Sequence, residues 1–345
     1  MLVAELTGPR TFRIAESQPI PDPRPGQVQV AVKAVGICGS DLHYFSEGGI
    51  GDARCAYPMV LGHEPCGVVV KTGSGVTGWS AGDRVILEPA IYCYHCEFCM
   101  SGRHNVCSNI RFLSMPPDPG FFREYVNLDL PNVLALPKNL SDAEGALAEP
   151  LAVIIHSMKL ARPQAGQSAV VFGAGPIGLL TIAMLKLSGI HRLWVVEPVP
   201  ARRALARAMG ADAVIDPRQA DPVREILQET RGRGAELCID CAAKGDTVNQ
   251  CLYVTRNAGR VIITGIPSSE SLSLAFHVMR RKELAFLSVR RSNHDSESAL
   301  RLLVEESKRF APMLTHQRPL SEIQDAFEIS ESYADGVGKM TICFP

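Results

Sequence analysis

The chain has 345 residues, of which 46% are hydrophobic, and its formal net charge is -1. A chain longer than about 250–300 residues usually forms more than one domain. Because the net charge is near zero and no run of like charges occurs, a general attraction to nucleic acid or to anionic lipid is excluded. We therefore expect neither nucleic acid nor a membrane as a partner.

The N-terminal segment, residues 1–12, lacks an apolar core followed by a small-residue cleavage site, so we expect a cytoplasmic protein. Thiols stay reduced in the cytosol, and the 11 cysteines therefore indicate metal binding or catalysis rather than disulfides. The uncharged stretch Ser168–Leu185 is long enough to suggest a membrane span. Glycines and Pro176 interrupt its middle, which favours a strand, a turn and a helix instead.

Short strands separated by turns are predicted for the first 150 residues. The segment Val28–Val35 shows a partial period-two alternation, which suits a strand. Glycine and proline recur around it, as in Pro21–Gly26 and Met115–Gly120. Turn residues between short apolar runs are typical of β structure, and we predict a mainly β first half.

Scattered residues in this half could bind a metal ion. Cys38, His63, Glu64 and Glu149 offer sulfur, nitrogen and oxygen ligands. Mixed ligation with fewer than four thiolates suits a catalytic zinc that keeps one position for substrate. The residues alone leave another interpretation open, since a lone cysteine is commonly a small core residue and His63-Glu64 could be a surface pair.

Four cysteines are crowded into one short segment, at positions Cys93, Cys96, Cys99 and Cys107. Four thiolates at such spacings can close a tetrahedral zinc site with no open position, so the predicted zinc is structural. An iron–sulfur cluster is the chemical rival, because CxxCxxC also suits iron. The missing proline after Cys107 and the absence of a second cluster motif disfavour it.

Strands and helices alternate after about residue 150. The predicted strands are Ala169–Phe172, Leu193–Val196, Ala213–Ile215, Leu237–Ile239 and Arg260–Ile263, and the predicted helices are Leu179–Leu187 and Ala201–Met209. This alternation predicts a parallel sheet covered on both faces, an α/β fold. A helix over Ser296–Ser307 and a strand over Met340–Cys343 are predicted near the C-terminus.

A glycine-rich turn joins the first of these strands to the first helix. It consists of Gly173, Ala174, Gly175, Pro176, Ile177 and Gly178. The pattern GxGxxG between a strand and a helix is typical of dinucleotide binding, because the pyrophosphate can approach the backbone and the helix N-terminus. Glu197 ends the next strand, where an acid can bind the adenosine ribose and repel a 2′-phosphate. We therefore predict NAD as cofactor, although Arg202 could turn towards such a phosphate.

Taken together, these motifs resemble those of the zinc-containing medium-chain dehydrogenases, and among them the sorbitol, xylitol and idonate dehydrogenases. The resemblance runs along essentially the whole chain. It is carried by Gly36–Tyr44, Pro58–Glu64, the four-cysteine segment, Glu144–Leu151 and Gly173–Gly178. It implies a GroES-like β catalytic domain, residues 1–152 and 287–345, with a Rossmann NAD-binding domain, residues 153–286, inserted between its parts. The active site is then expected between the domains.

The resemblance also implies roles for single residues. Cys38, His63, Glu64 and Glu149 match the positions of a catalytic zinc site, the last directly or through water, and the four clustered cysteines match a structural zinc site. Ser40 and His43 match a relay that passes the alcohol proton towards solvent. Tyr44 and Arg290 are similar to substrate-pocket positions of the polyol enzymes. The chain departs from the family pattern at Glu197, which is usually aspartate, and after Arg290, where Arg291 replaces a tyrosine.

The predicted protein is thus an enzyme with two zinc ions per chain that transfers hydride from a secondary hydroxyl of a polyol to NAD, giving a ketose. A threonine 3-dehydrogenase or a simple secondary-alcohol dehydrogenase is the alternative of related chemistry. A zinc-stabilised binding module without catalysis is the alternative from another class, which the intact ligand set and nucleotide turn argue against. The expected assembly is a homodimer or homotetramer.

Overall fold

The computed structural model describes residues 1–345, and the chain divides into two compact units. The first contains residues 1–149, 293–307 and 314–345, and the second contains residues 150–292 and 308–313. The predicted boundaries, near residues 152 and 287, differ from these by a few residues. The return of residues 308–313 to the second unit was not predicted; Met313 is fully buried there, in a turn that contacts the helix over Pro200–Ala208.

Short strands dominate the first 147 residues. The strands are β1 (Leu2–Gly8), β2 (Thr11–Glu16), β3 (Gln27–Gly36), β4 (Gly49–Ile50), β5 (Ala53–Arg54), β6 (Glu64–Thr72), β7 (Arg84–Leu87), β8 (Ala90–Ile91), β9 (Arg111–Phe112), β10 (Tyr125–Asp129) and β11 (Val133–Ala135). The helices are α1 (Gly39–Glu47), α2 (Glu97–Met100) and α3 (Asp142–Gly145).

Helices and strands alternate from residue 148 onwards. The helices are α4 (Ala148–Ala161), α5 (Pro176–Leu187), α6 (Pro200–Ala208), α7 (Pro222–Glu229), α8 (Thr247–Val254), α9 (Phe276–Arg281), α10 (Ser296–Glu305), α11 (Ser307–Phe310) and α12 (Ile323–Ser332). The strands are β12 (Ser168–Phe172), β13 (Arg192–Val196), β14 (Ala213–Ile215), β15 (Ala235–Asp240), β16 (Thr255–Ile263), β17 (Ala285–Ser288), β18 (Leu314–Pro319) and β19 (Lys339–Cys343).

A seven-stranded sheet forms the centre of the first unit, with β3 paired to β6, β10 and β19. All ten residues of β3 are buried except Lys33, because both faces of this strand are covered. The register sets Gly36, at the end of β3, opposite Glu64 on one side and Thr341 on the other. Segments from the beginning and the end of the chain therefore meet at one end of β3.

The second unit contains a six-stranded parallel sheet in the order β14-β13-β12-β15-β16-β17. The chain crosses over between β12 and β15, so connections leave these two neighbouring strands in opposite directions. Ligands of open α/β sheets bind outside the carboxyl ends of the strands at such a switch point. The glycine-rich turn follows β12, at this position.

The predicted α/β fold, a mainly β unit with a separate parallel-sheet unit, is confirmed. Each predicted strand and helix is present, with ends that shift by a few residues, as for Ser296–Ser307, where the helix ends at Glu305. Strand β17 was not predicted, because it is short and mostly exposed and lacks a strand-like alternation. None of the helices has the combination of length and apolar character that crossing a membrane requires.

Candidate active site

The four clustered cysteines lie in one loop of the first unit, and their sulfur atoms converge. All four Sγ atoms lie within 4.8 Å of one another. The Cys93–Cys107, Cys96–Cys107 and Cys93–Cys99 separations are 3.5, 3.8 and 4.0 Å. A tetrahedron with Zn–S bonds of about 2.3 Å has sulfur–sulfur edges of about 3.8 Å, whereas a disulfide needs about 2.05 Å. The residues therefore fit a zinc ion bound by four thiolates.

Backbone N–H groups of this loop lower the pKa of two of the thiols, Cys93 and Cys96, the latter chiefly through Cys99. Cys96 is the N-cap residue of helix α2, and its N–H donates to Cys93 Sγ at 3.4 Å. Backbone N–H groups, first that of His95, lower the pKa of Cys93 to about 5. Burial raises the pKa of Cys99 to about 12, so this thiol ionises only with a compensating cation. A divalent metal supplies that charge.

A second group of ligands lies at the end of β3. Cys38 is the N-cap residue of α1, His63 directly precedes β6, and Glu64 is its first residue. One ligand atom from each side chain lies within 4.8 Å of the other two. Sulfur, nitrogen and oxygen donors together suit a zinc ion, and three protein ligands leave a fourth position open.

The buried carboxylate of Asp41 holds these ligands in place. It accepts hydrogen bonds from the N–H groups of Cys38 at 3.1 Å and Gly62 at 3.2 Å, and from Ser114 Oγ at 3.1 Å. Its Oδ1 also lies 3.3 Å from Nδ1 of His63. Burial alone would raise the pKa of Asp41, but His63 and the N–H groups of Cys38 and Gly62 lower it. An Nδ1–H directed at Asp41 leaves the lone pair of Nε2 for a metal.

This role of Asp41 was not predicted from the sequence. The signal available was its position three residues after Cys38, where an acid can accept the N-cap N–H of a helix. Nothing in that pattern indicates the contacts with Gly62 and Ser114, which are distant in the sequence.

Glu64 forms a buried ion pair with Lys339, the first residue of β19, and both side chains are only 1% exposed. Lys339 Nζ also donates to the carbonyl of Ile37 at 2.9 Å. The pair needs a glycine at position 36, because a Cβ there would collide with the Glu64 carboxylate. The other carboxylate oxygen, Oε1, is buried and accepts no hydrogen bond. An orphaned buried oxygen beside Cys38 and His63 fits a metal ligand.

The remaining predicted residues of this site differ in their surroundings. Ser40 Oγ lies 3.5 Å from His63 Nε2, on the side where the metal would bind. His43 is partly exposed, and its Nδ1 lies 3.2 Å from Glu47 Oε1. Glu149 lies outside the three-residue ligand group, in the first turn of α4. Burial, together with nearby carboxylates, raises its pKa to about 7.

Tyr44 is 4% exposed and packs in the hydrophobic core of the first unit. Arg290 belongs to the second unit and is exposed, two residues beyond the end of β17. Neither side chain belongs to the metal-ligand group. Their predicted contacts with substrate stay predictions.

In the second unit, the glycine-rich turn has a backbone conformation that fits dinucleotide binding. Gly173 adopts a φ of +88°, a left-handed conformation that favours glycine. A Cβ on Gly178 would collide with the carbonyl oxygen of Gly173, so the helix passes close to the strand. Helix α5 begins at Pro176 after its N-cap residue Gly175, with Ile177 in its first turn. The turn thus leaves a cradle of backbone at the helix N-terminus that fits a pyrophosphate.

Glu197 follows β13 and its side chain turns back towards the glycine-rich turn. Its carboxylate accepts hydrogen bonds from the N–H groups of Ala174 at 2.7 Å and Val199 at 2.8 Å. Glu197 is 3% exposed and Arg202 is 9% exposed. The Arg202 guanidinium lies beside the turn, 3.6 Å from where a Cβ on Gly175 would be. The Glu197 carboxylate and the Arg202 guanidinium therefore both lie beside the glycine-rich turn, where the adenosine ribose is expected.

Two family models match the chain, one in each part. The "Alcohol dehydrogenase GroES-like domain" matches residues 24–138, and the "Zinc-binding dehydrogenase" model matches residues 176–305. Among curated proteins, a sorbitol dehydrogenase from Bacillus subtilis (strain 168) is 34% identical over 95% of this chain and 93% of its own length. A protein named "Probable D-xylulose reductase A" from Aspergillus fumigatus is 37% identical over 91% of this chain and 89% of its own length.

Solved structures of similar proteins share the fold along both chains. L-idonate 5-dehydrogenase from Escherichia coli superposes with a TM-score of 0.91 at 27% identity, covering 99% of this chain and 98% of its own. A zinc-binding dehydrogenase from Sinorhizobium meliloti 1021, bound to NADP, gives a TM-score of 0.90 at 30% identity, with 99% and 98% covered.

The Glu64–Lys339 pair gives a first prediction. Lys339→Met should lower the free energy of unfolding by about 3–5 kcal/mol, because it leaves a buried carboxylate without its cation. Urea unfolding followed by circular dichroism measures this. Lys71→Met is the matched control, since Lys71 pairs with Asp22 at the surface and should cost at most about 1 kcal/mol. Equal losses in both variants would contradict the assigned role of the buried pair.

Proposed function

Because the chain belongs to the zinc-binding alcohol dehydrogenase family, we propose that it oxidises a secondary hydroxyl of a polyol to a ketone and reduces NAD. The observation that carries this proposal is the group of Cys38, His63 and Glu64, a mixed ligand set with an orphaned carboxylate oxygen. The relatives named sorbitol dehydrogenase and D-xylulose reductase support a polyol as the substrate class. They align with nearly the whole chain.

The side chains around this site have different proposed roles in the reaction. A zinc ion held by Cys38, His63 and Glu64 would lower the pKa of the substrate hydroxyl, and a nicotinamide would accept the hydride as the secondary alcohol becomes a ketone. Ser40 Oγ is on the metal side of His63 and would accept the hydroxyl proton. His43, which is partly exposed and whose Nδ1 lies 3.2 Å from Glu47 Oε1, would pass that proton to solvent. Asp41 keeps His63 in the tautomer that binds metal.

Two zinc ions per chain are proposed, one in each ligand group. Cys38→Ala should abolish turnover, keep one zinc and leave the thermal midpoint close to that of the parent protein. Cys99→Ala should also keep one zinc but lower the thermal midpoint, because a closed four-thiolate site acts through folding. Metal analysis by mass spectrometry, with thermal unfolding and activity, checks both variants. Loss of turnover only in Cys99→Ala, with a lower thermal midpoint only in Cys38→Ala, would mean that the two sites have the opposite roles.

The proposed nucleotide is NAD rather than NADP, because the Glu197 carboxylate lies where a 2′-phosphate would bring further negative charge. Glu197→Gln keeps the shape of the side chain and removes its charge. It should narrow the difference in kcat/KM between NAD and NADP by about 1–3 kcal/mol, the scale of a hydrogen bond to a charged group. A parent protein that prefers NADP, as the NADP-bound structural relative allows, would contradict this proposal.

The proposed substrate carries vicinal hydroxyls, and Arg290 is proposed to donate a hydrogen bond to one of them. A site that pairs hydroxyls rejects analogues without them, because its polar groups stay unsatisfied. Sorbitol or xylitol should therefore have a higher kcat/KM than 2-butanol or L-threonine, which represent the alternative activities. Arg290→Ala should reduce kcat/KM for polyols by about tenfold or more and spare 2-butanol. Arg281→Ala, an exposed arginine at the end of α9, is the control. Higher activity on 2-butanol or L-threonine than on every polyol would refute the polyol assignment.

A homodimer or homotetramer is the proposed assembly. Strand β17 is an edge of the parallel sheet and carries the exposed side chain of Leu287, so its outer backbone groups can pair with a second copy. Sedimentation analysis measures the mass directly, and a monomer at micromolar concentration would contradict the proposal.

A further inference from the structure

A network of charged side chains surrounds the turn that carries Glu197. Asp216 directly follows β14 and its side chain is 7% exposed. It pairs with Arg203, whose Nη1 lies 3.0 Å from Asp216 Oδ2, and with Arg218, whose Nε and Nη2 each lie 3.1 Å from a carboxylate oxygen. The Arg218 backbone N–H also donates to Asp216 Oδ1 at 3.0 Å. One carboxylate therefore fixes two guanidinium groups.

The two guanidinium groups in turn hold the backbone of the Glu197 turn. Arg203 Nη1 donates to the carbonyl oxygens of Glu197 at 3.0 Å and Pro198 at 2.7 Å. Arg218 Nη2 donates to the same Pro198 carbonyl. The peptide that follows the ribose acid is thus tied to Asp216 through two arginines, in addition to the strand hydrogen bond from Glu197 N–H to Ile215.

The charged groups of this network lie where they could attract or repel a phosphate of a bound nucleotide. Arg218 is 60% exposed, and it lies close enough to Glu197 for their charges to interact. Asp216 engages its guanidinium through a two-point contact, the geometry that also suits a phosphate. Its hydrogen bonds with Arg218, the largest cause, lower the pKa of Asp216, so that the carboxylate stays ionised near neutral pH.

We propose that Asp216 is a specificity-determining positioning residue for the nucleotide. It holds the Glu197 turn in place, and it occupies the guanidinium groups of Arg203 and Arg218 so that they do not bind a 2′-phosphate. Selection against NADP then depends on two carboxylates, Glu197 at the ribose and Asp216 behind it. The inference rests on the proposed function only in placing the nucleotide at the glycine-rich turn.

Direct binding of NADH and NADPH to the full-length protein tests the proposal, with affinities from nucleotide fluorescence. Asp216→Asn should shift the ratio of the two dissociation constants towards NADPH by about tenfold, since one released guanidinium adds a charged hydrogen bond to the phosphate. Adding Arg218→Met to this variant should remove most of the shift. Asp212→Asn, which alters a carboxylate paired with Lys186 in the same unit, should leave the ratio unchanged.

Arg218→Met alone keeps the test decisive if Asp216→Asn does not fold. It takes from Asp216 its two-point partner, so the exposed charge of a second carboxylate behind Glu197 should shift the ratio severalfold away from NADPH, opposite in sign to Asp216→Asn. A purely structural role for Asp216 would weaken both nucleotides equally and leave the ratios unchanged, and that result overturns the proposal. A parent protein that prefers NADPH would contradict the proposed cofactor, whereas the inference is judged by the direction of the two shifts.

Discussion

Two opposite charges are buried at one end of the central sheet of the first unit, on Glu64 and Lys339. A buried carboxylate is costly unless it is paired, so Glu64 requires a cation from another part of the chain. Lys339 is supplied by the last strand, β19, which pairs with β3. The first unit therefore has to be built from both ends of the chain, and Gly36 has to lack a side chain for the pair to form.

The two candidate metal-ligand groups of the first unit are assembled differently. The four cysteines lie within 15 residues of one loop, and their sulfur atoms converge there. The group of Cys38, His63 and Glu64 depends instead on side chains from distant segments, Asp41 for the imidazole and Lys339 for the carboxylate. A zinc site with four protein ligands typically stabilises the fold, whereas a site with three protein ligands leaves a coordination position for substrate. In the second unit, the candidate nucleotide site is formed by the backbone of the glycine-rich turn rather than by side-chain ligands.

The features that were predicted correctly from the sequence are those whose residues lie close together along the chain. The cysteine spacing and the glycine-rich turn lie within 15 residues or fewer, so their patterns determine their own geometry, and the alternation of strands and helices predicted the parallel sheet. Lys339 and Asp41 escaped prediction, because their roles follow from partners that only the fold brings near. Tyr44, by contrast, was singled out by a motif and is buried in the core, and its contact with substrate stays a prediction. Helix α12 and strand β18 were missed, although α12 packs on β19.

The proposed arrangement is two zinc ions of different character in the first unit. Anomalous diffraction from crystals at the zinc absorption edge would locate both ions. We expect two peaks per chain, one enclosed by Cys93, Cys96, Cys99 and Cys107, and one bonded to Cys38 and His63 with a coordination position open to solvent or substrate. A single peak in the cysteine loop, with Cys38 and His63 bound to no metal in a catalytically active crystal, would contradict it.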